Sequence, residues 1–208
     1  MGREILFATT NPNKKERFQV YFSPLGLKVI SYADLENKIE VIEDGKTPEE
    51  NARKKAAAGY CASGKPSFGV DYWLTIVGLP ENIQPGQYVR RIYIGKNNQR
   101  VEADDKQMLE YYTNKVGMLG GKTKALWISA IALTISPEKT YTETFTRETI
   151  MVSERSATVN EGEPLNSIQI DPVTGKYLSD LTKDELLSLQ KQGGERYIGF
   201  MKKHLQEI

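Results

Sequence analysis

Residues 5–8, Ile-Leu-Phe-Ala, form a continuous apolar run that stops at the polar turn Thr9-Thr10-Asn11-Pro12-Asn13-Lys14. Unbroken rather than alternating apolarity suits a strand covered on both faces, as in a sheet with helices on each side. Asn11 followed by Pro12 reads as an N-cap with proline at the first helical position. The spacing therefore predicts a helix from about Pro12 to Phe22, with Phe18, Val20 and Tyr21 on or near its inner face. A strand, a polar turn and a helix that opens onto that turn commit the chain to an α/β arrangement from its start.

The same alternation continues. Lys28 to Ser31 and Ile39 to Ile42 read as two further strands. Thr47-Pro48-Glu49-Glu50 reads as a capping box ahead of a helix reaching Ala62, whose Ala52, Ala56, Ala57 and Tyr60 are mostly small and suit close packing on a sheet. Ser67 to Asp71 reads as a strand ending at a carboxylate. After a proline and glycine loop (residues 78–87), Asp104 to Val116 has helical spacing through Met108, Leu109 and Tyr112. Lys124 to Ile135 and Thr140 to Val152, joined by Ser136-Pro137-Glu138-Lys139, read as a long hairpin in a second lobe. The tail carries a loop at residues 160–164, an Asp171-Pro172 turn, and two helical patterns, Thr182 to Lys191 and Gly194 to Gln206. The expected fold is α/β: a mixed twisted sheet with flanking helices, one domain over residues 1–208, in two lobes with a central cleft, the second lobe covering roughly 75–165.

Composition narrows the function classes. The 208 residues are 39% apolar and 26% charged, enough for a buried core and too apolar for a disordered chain. Lysine plus arginine (28) nearly cancels aspartate plus glutamate (27), which argues against a nucleic-acid or membrane-surface partner and requires any anionic ligand to be held by local charge. No apolar stretch approaches the roughly 18 to 20 residues of a membrane span, and Met1-Gly2-Arg3-Glu4 leads straight into a strand rather than a signal sequence. Cys61, the single cysteine, has no partner for an internal disulfide and reads as a small core residue; a cytoplasmic location is expected. His204, the single histidine, stands next to Lys202 and Lys203 and reads as a surface residue.

Three polar clusters carry the chemistry. Lys14 lies in a first helical turn, where unpaired backbone N–H groups and the helix dipole already favour an anion. Glu43 and Asp71 each follow an expected strand. Magnesium takes octahedral oxygen ligands and is commonly bound by one or two carboxylates together with substrate phosphates. Taken singly, Asn11-Pro12 is an ordinary cap, Lys14 a solvated charge, and Glu43 and Asp71 turn carboxylates. Together they make a grip for a magnesium-bound phosphate chain.

The series TTNPNK, Glu43, TPEENARKKA and a strand ending in Asp71 resembles, in order and spacing over residues 4–74, the inosine/xanthosine triphosphate pyrophosphatase (ITPase) family. That family has TxNxxK, a lone glutamate, TFxENAxxKA and a strand ending in adjacent acids. Pro85-Gly86-Gln87-Tyr88 resembles its PGxY loop, Asp171-Pro172 its aromatic-Asp-Pro turn, and Arg196 the arginine of its Ser-His-Arg motif. The resemblance implies a two-lobed dimeric enzyme that hydrolyses nucleoside triphosphates to monophosphate and pyrophosphate with magnesium. It implies phosphate binding by Thr9, Asn11 and Lys14. Metal binding and activation of water would fall to Glu43 and Asp71, which with Lys14 would be the catalytic residues, and support of the acidic cluster to Lys55. Thr10, Asn13, Lys55, Tyr72, Asp171 and Arg196 would also contact substrate.

The chain departs from that pattern in two places. Where the family has two acids, serine and glycine, it reads Val70-Asp71-Tyr72-Trp73, with one carboxylate fewer and two bulky side chains. The family's base-stacking Phe-Gly-Tyr/Trp is Ile168-Gln169-Ile170, and its Ser-His is Gly194-Glu195. Tyr72, Trp73 and Tyr88 are available as an alternative stacking surface, or as core and lobe-interface aromatics. Three readings follow: a pyrophosphatase for deaminated purine nucleotides such as ITP, dITP and XTP; a nucleotide-binding homologue with weak or lost catalysis; and hydrolysis of a different nucleotide or phosphoanhydride.

Overall fold

The computed structural model describes residues 2–35, 39, 41–94 and 100–208. The opening apolar run forms β1 (Arg3–Phe7), in which Ile5, Leu6 and Phe7 are fully buried. Helix α1 (Pro12–Phe22) starts where the Asn11-Pro12 pair requires, with the Asn11 side chain accepting from the Lys14 N–H. Its buried residues are Phe18 and Phe22, whereas Val20, expected near the inner face, is 66% exposed. Phe18 and Phe22 are four apart and so share a face, which Val20 does not. Phe7, Phe18, Phe22 and Phe68 meet in one aromatic cluster, with Phe7 stacked on Phe68 at 4.4 Å between centroids.

Strand β2 (Leu27–Ser31) follows and pairs in parallel with β1, which also pairs in parallel with β3 (Ser67–Ile76). The strand expected over Ile39–Ile42 does not form: residues 39, 41 and 42 are irregular, Ile42 is 77% exposed, and Glu40 lies outside the described residues. Helix α2 (Pro48–Ser63) begins at the Thr47 cap, with one half of the expected capping box present. The Glu50 N–H donates to Thr47 Oγ1, but the Glu50 carboxylate accepts from the Lys46 N–H instead of from Thr47. Cys61, expected in the core, lies on the exposed side of this helix. Small residues bring α2 onto β3: a Cβ at Gly69 would stand 2.4 Å from the Ala52 carbonyl oxygen and 2.6 Å from Lys55 Cβ. Strand β3 does not stop at the carboxylate as expected but runs five residues past it, placing Asp71 mid-strand.

The remaining elements are the short antiparallel pair β4 (Tyr93–Ile94) and β5 (Arg100–Val101), helix α3 (Asp105–Met118), the hairpin strands β6 (Lys122–Ser136) and β7 (Lys139–Val152), β8 (Gln169–Ile170) and helix α4 (Lys183–His204). Helix α3 buries Met108, Leu109 and Tyr112 as the spacing requires. The main sheet is mixed, six-stranded, in the order β2-β1-β3-β6-β7-β8, and carries flanking helices. The two helices expected in the tail are one: Gly193 and Gly194 do not break α4. A Cβ at Gly194 would lie 2.6 Å from the Tyr21 ring, so the glycine is kept for close packing rather than for a turn.

The chain divides into two compact units. The first comprises residues 1–71, 129–145 and 190–208, and the second residues 72–128 and 146–189. The hairpin, expected wholly in the second lobe, contributes its turn and adjoining halves to the first unit. In the first unit, Tyr197 of α4 packs on Phe18 and Phe145, and His204, expected at the surface, stacks on Tyr141 at 3.8 Å. In the second, α3 and the strands enclose a core including Leu74, Ile76, Tyr112, Met151 and Ile168. No helix among the described residues is long and apolar enough to cross a membrane.

Candidate active site

The turn between β1 and α1 forms one wall of a cavity of about 260 Å³ in the first unit. Its polar lining is Thr9, Thr10, Asn11, Lys14, Glu43 and Lys55, and its apolar lining is Phe7, Ala8, Tyr32, Ile39, Val41 and Val70. The turn is held by its own side chains. Thr9 Oγ1 accepts the Asn11 N–H at 3.2 Å and Asn11 Oδ1 accepts the Lys14 N–H at 3.1 Å, while the Thr9 carbonyl accepts the Tyr32 N–H at 3.2 Å. The α1 N-terminus and the Lys14 ammonium thus bring positive charge to one wall.

Lys55 occupies the middle of the acidic cluster. Its ammonium lies 2.7 Å from Asp71 Oδ1 and 3.0 Å from Glu43 Oε2, with the Val70 carbonyl at 3.5 Å. The Lys55 and Asp71 side chains are nearly buried, at 12% and 7% exposed, whereas Glu43 is 39% exposed at the rim. The other carboxylate oxygen, Asp71 Oδ2, accepts from Asn51 Nδ2 at 3.3 Å, and Asn51 Oδ1 accepts the Gly45 N–H at 2.8 Å. Burial pushes the Lys14 ammonium below the ordinary lysine value, and the nearby Lys55 charge pushes the same way, against the pull of Asp71 and Glu43. Burial, followed by the Glu43 charge, raises the Tyr32 hydroxyl to about 12, so it stays protonated and donates to the Lys55 carbonyl at 3.4 Å.

The residues singled out in the sequence fall into three groups. Thr9, Thr10, Asn11, Lys14, Glu43 and Lys55 line the cavity, and Asp71 joins them through Lys55. Asn13 is exposed on the first turn of α1 and Arg196 is exposed on α4; neither is part of the lining. Tyr72 and Asp171 belong to the second unit, where the Asp171 carboxylate is buried and accepts the Thr174 N–H at 2.9 Å. In that unit Trp73 covers Gly86, and the Tyr88 ring carries the Arg100 guanidinium at 4.0 Å. Gln169 is also committed there, accepting from the Trp127 indole at 2.7 Å and donating to the Leu165 carbonyl at 3.2 Å.

Sequence reasoning missed Asn51, Tyr32 and the apolar half of the cavity. Asn51 stands four residues before Lys55, which puts both on one helix face, and that spacing was the available signal. Among the described residues no group of three or more His, Cys, Asp or Glu is placed to hold a metal ion. Two carboxylates beside a lysine are a poor cage for a bare cation. They fit a magnesium ion that arrives already chelated by phosphates, which needs only one or two protein oxygens.

Comparison with known proteins agrees with the resemblance read from the sequence. A dITP/XTP pyrophosphatase of Staphylococcus epidermidis is 28% identical over 204 residues, covering 98% of this chain and 96% of the relative. One from Bacillus subtilis is 33% identical over 141 residues, 67% of each chain. The solved Ham1 protein of Staphylococcus aureus superposes with a TM-score of 0.71 at 25% identity, over 93% of this chain and all of that one. A HAM1 protein from Coxiella burnetii has the same fold, with a TM-score of 0.79 at 23% identity over 97% of this chain and 99% of its own. The sequence model of the Ham1 family matches residues 5–162, a span that includes every residue lining the cavity. The chain belongs to the Ham1 family.

Proposed function

We propose that this protein hydrolyses deaminated purine nucleoside triphosphates, of the dITP and XTP type, to the monophosphate and pyrophosphate. One observation carries the reading: Lys14, the N-terminus of α1, Glu43 and Lys55 line a single cavity able to receive a polyphosphate, and Lys55 ties Asp71 to it. Full-length relatives named dITP/XTP pyrophosphatase support the choice of base.

In this reading the Lys14 ammonium and the positive end of the α1 dipole hold the phosphate oxygens. Lys55 fixes the two carboxylates against each other. Glu43 and Asp71 would hold magnesium, and Asp71, the more enclosed of the two, takes a proton from the attacking water. The ion, when bound, supplies Lewis-acid withdrawal of charge from the phosphate oxygens and an acidified water. Thr9, Thr10 and Asn11 shape the turn so that attack at the α-phosphorus is a matter of alignment and charge. The near-neutral composition supports an enzyme without a nucleic-acid partner, and the exposed single thiol of Cys61 supports a reducing compartment such as the cytoplasm. Homodimerisation is part of the same proposal and rests on the family resemblance.

A second reading, nucleotide binding without turnover, is favoured by Val70: a buried apolar side chain lines the cavity one residue before Asp71, where the resemblance calls for a second acid. Pyrophosphate release from a panel of standard and deaminated triphosphates, with magnesium, separates the two. Turnover highest on dITP, ITP or XTP is expected, and no release from any nucleotide overturns the proposal. Triphosphate binding in that case selects the second reading. Asp71→Asn should lower kcat by about 10² to 10⁴-fold with binding kept, as for loss of a general base.

A further inference from the structure

Asn51 is fully buried, yet its side chain is polar at both ends. A buried amide costs free energy unless its groups are paired, and an apolar residue would fill the same space without that cost. Here both ends are used: Oδ1 accepts the Gly45 N–H at 2.8 Å and Nδ2 donates to Asp71 Oδ2 at 3.3 Å. Helical side chains lean toward the N-terminus, so Asn51 reaches back over the segment that precedes α2. That segment carries Glu43, two residues before Gly45.

A second position is committed to the same contact. A Cβ at Gly45 would stand 2.5 Å from Asn51 Oδ1 and 2.9 Å from Glu50 Cβ, so the approach requires glycine there for space. The final carboxylate torsion of an aspartate is broad, and a single donor leaves it free to turn. Asp71 has a different donor on each oxygen: Lys55 Nζ at 2.7 Å on Oδ1 and Asn51 Nδ2 on Oδ2. Both donors come from one face of α2, four residues apart.

We propose that Asn51 is a positioning residue for pyrophosphate release: it fixes the plane of the Asp71 carboxylate and ties it to the segment bearing Glu43. This rests on the activity proposed above. Asn51 acts through Asp71 and Gly45 and touches no reacting atom.

Two variants test it from opposite sides. Asn51→Asp is isosteric, keeps an acceptor for the Gly45 N–H and turns the donor facing Asp71 into a carboxylate oxygen. Gly45→Ala leaves Asn51 chemically intact and displaces it. The measurements are kcat and KM for the best triphosphate with magnesium, calorimetric affinity for a non-hydrolysable methylene-bridged analogue, and the melting temperature. Both variants are expected to lower kcat by about 10- to 100-fold, the scale of a small misplacement of a reacting group, with KM and analogue affinity within about threefold of wild type. A lower melting temperature with kcat per folded molecule unchanged overturns the inference, as does a rise in KM at constant kcat. Failure of either variant to fold leaves the other to decide. Wild-type protein without turnover overturns the parent reading and this one with it. Wild-type turnover that both variants retain overturns this one alone.

Discussion

Lys55 holds two carboxylates with one ammonium, and the three groups differ in how far they are buried. Removing it would leave the enclosed Asp71 carboxylate without the ammonium on Oδ1, and breaking such a buried pair typically costs about 3 to 5 kcal/mol. Lys55→Met should therefore lower the melting temperature well beyond Lys54→Met, whose ammonium pairs with Asp44 at the surface, where an ion pair contributes about 0 to 1 kcal/mol. Lys14 gives a pH signature. Its folded pKa lies below that of the unfolded lysine, so between the two values the unfolded chain binds more protons, and the ligand-free protein gains stability from this group as pH rises. Triphosphate affinity should move the opposite way, falling through the same alkaline window as the ammonium is lost. Binding there should take up a proton, which calorimetry in buffers of different ionisation enthalpy detects. Lys14, Glu43 and Asp71 were legible as candidates because they occur together, each beside an expected strand or at a helix start, and Lys55 through the family resemblance. Asn51 was not, because an asparagine in a first helical turn is an ordinary sight, and its spacing from Lys55 acquires meaning only with its burial.

At the scale of elements, glycine spacing decides what local propensity leaves open. Gly193 and Gly194 adjoin in α4, but a Cβ on Gly193 meets nothing within 4 Å whereas one on Gly194 meets the Tyr21 ring. Gly193→Ala should stabilise by about 0.5 to 1 kcal/mol through helix propensity. Gly194→Ala should destabilise by about 1 to 3 kcal/mol through overpacking, and thermal melts of the pair check the contrast. The glycines suggested a break because sequence shows their conformational freedom and conceals their contacts. Helix α1 was readable to its bounds, since the Asn11 cap and Pro12 act locally. The strand expected at Ile39–Ile42 was not readable, because its apolar side chains serve another end: Ile39 and Val41 line the cavity and Ile42 faces solvent. An apolar run is evidence of burial, and burial beside a ligand cavity looks the same in sequence as burial in a sheet.

Across the whole molecule, the first unit is assembled from three separated stretches of chain, the last of them residues 190–208. Every residue lining the cavity precedes residue 71, yet Phe18 packs on Tyr197, and Phe200 and Met201 are buried. A chain ending at Leu189 should therefore lose the cooperative fold of the first unit, read as loss of near-ultraviolet circular dichroism and of amide protection in β1 and α1. The α/β class and the order of elements were legible because alternating patterns announce them. Two units were expected, but which stretches make up each was not legible, since that depends on packing between residues more than a hundred apart, as of Phe18 with Tyr197.

The contact between α2 and β3 at Gly69 carries one more consequence. Lysine and asparagine side chains have fixed lengths, so how far each extends past the strand is decided by how thin the layer beneath them is. Any side chain at position 69 would act as a shim, lifting the helix and retracting the ammonium and the amide from the carboxylate in one movement. The chemistry of this cleft is thereby calibrated by an atom that glycine leaves out.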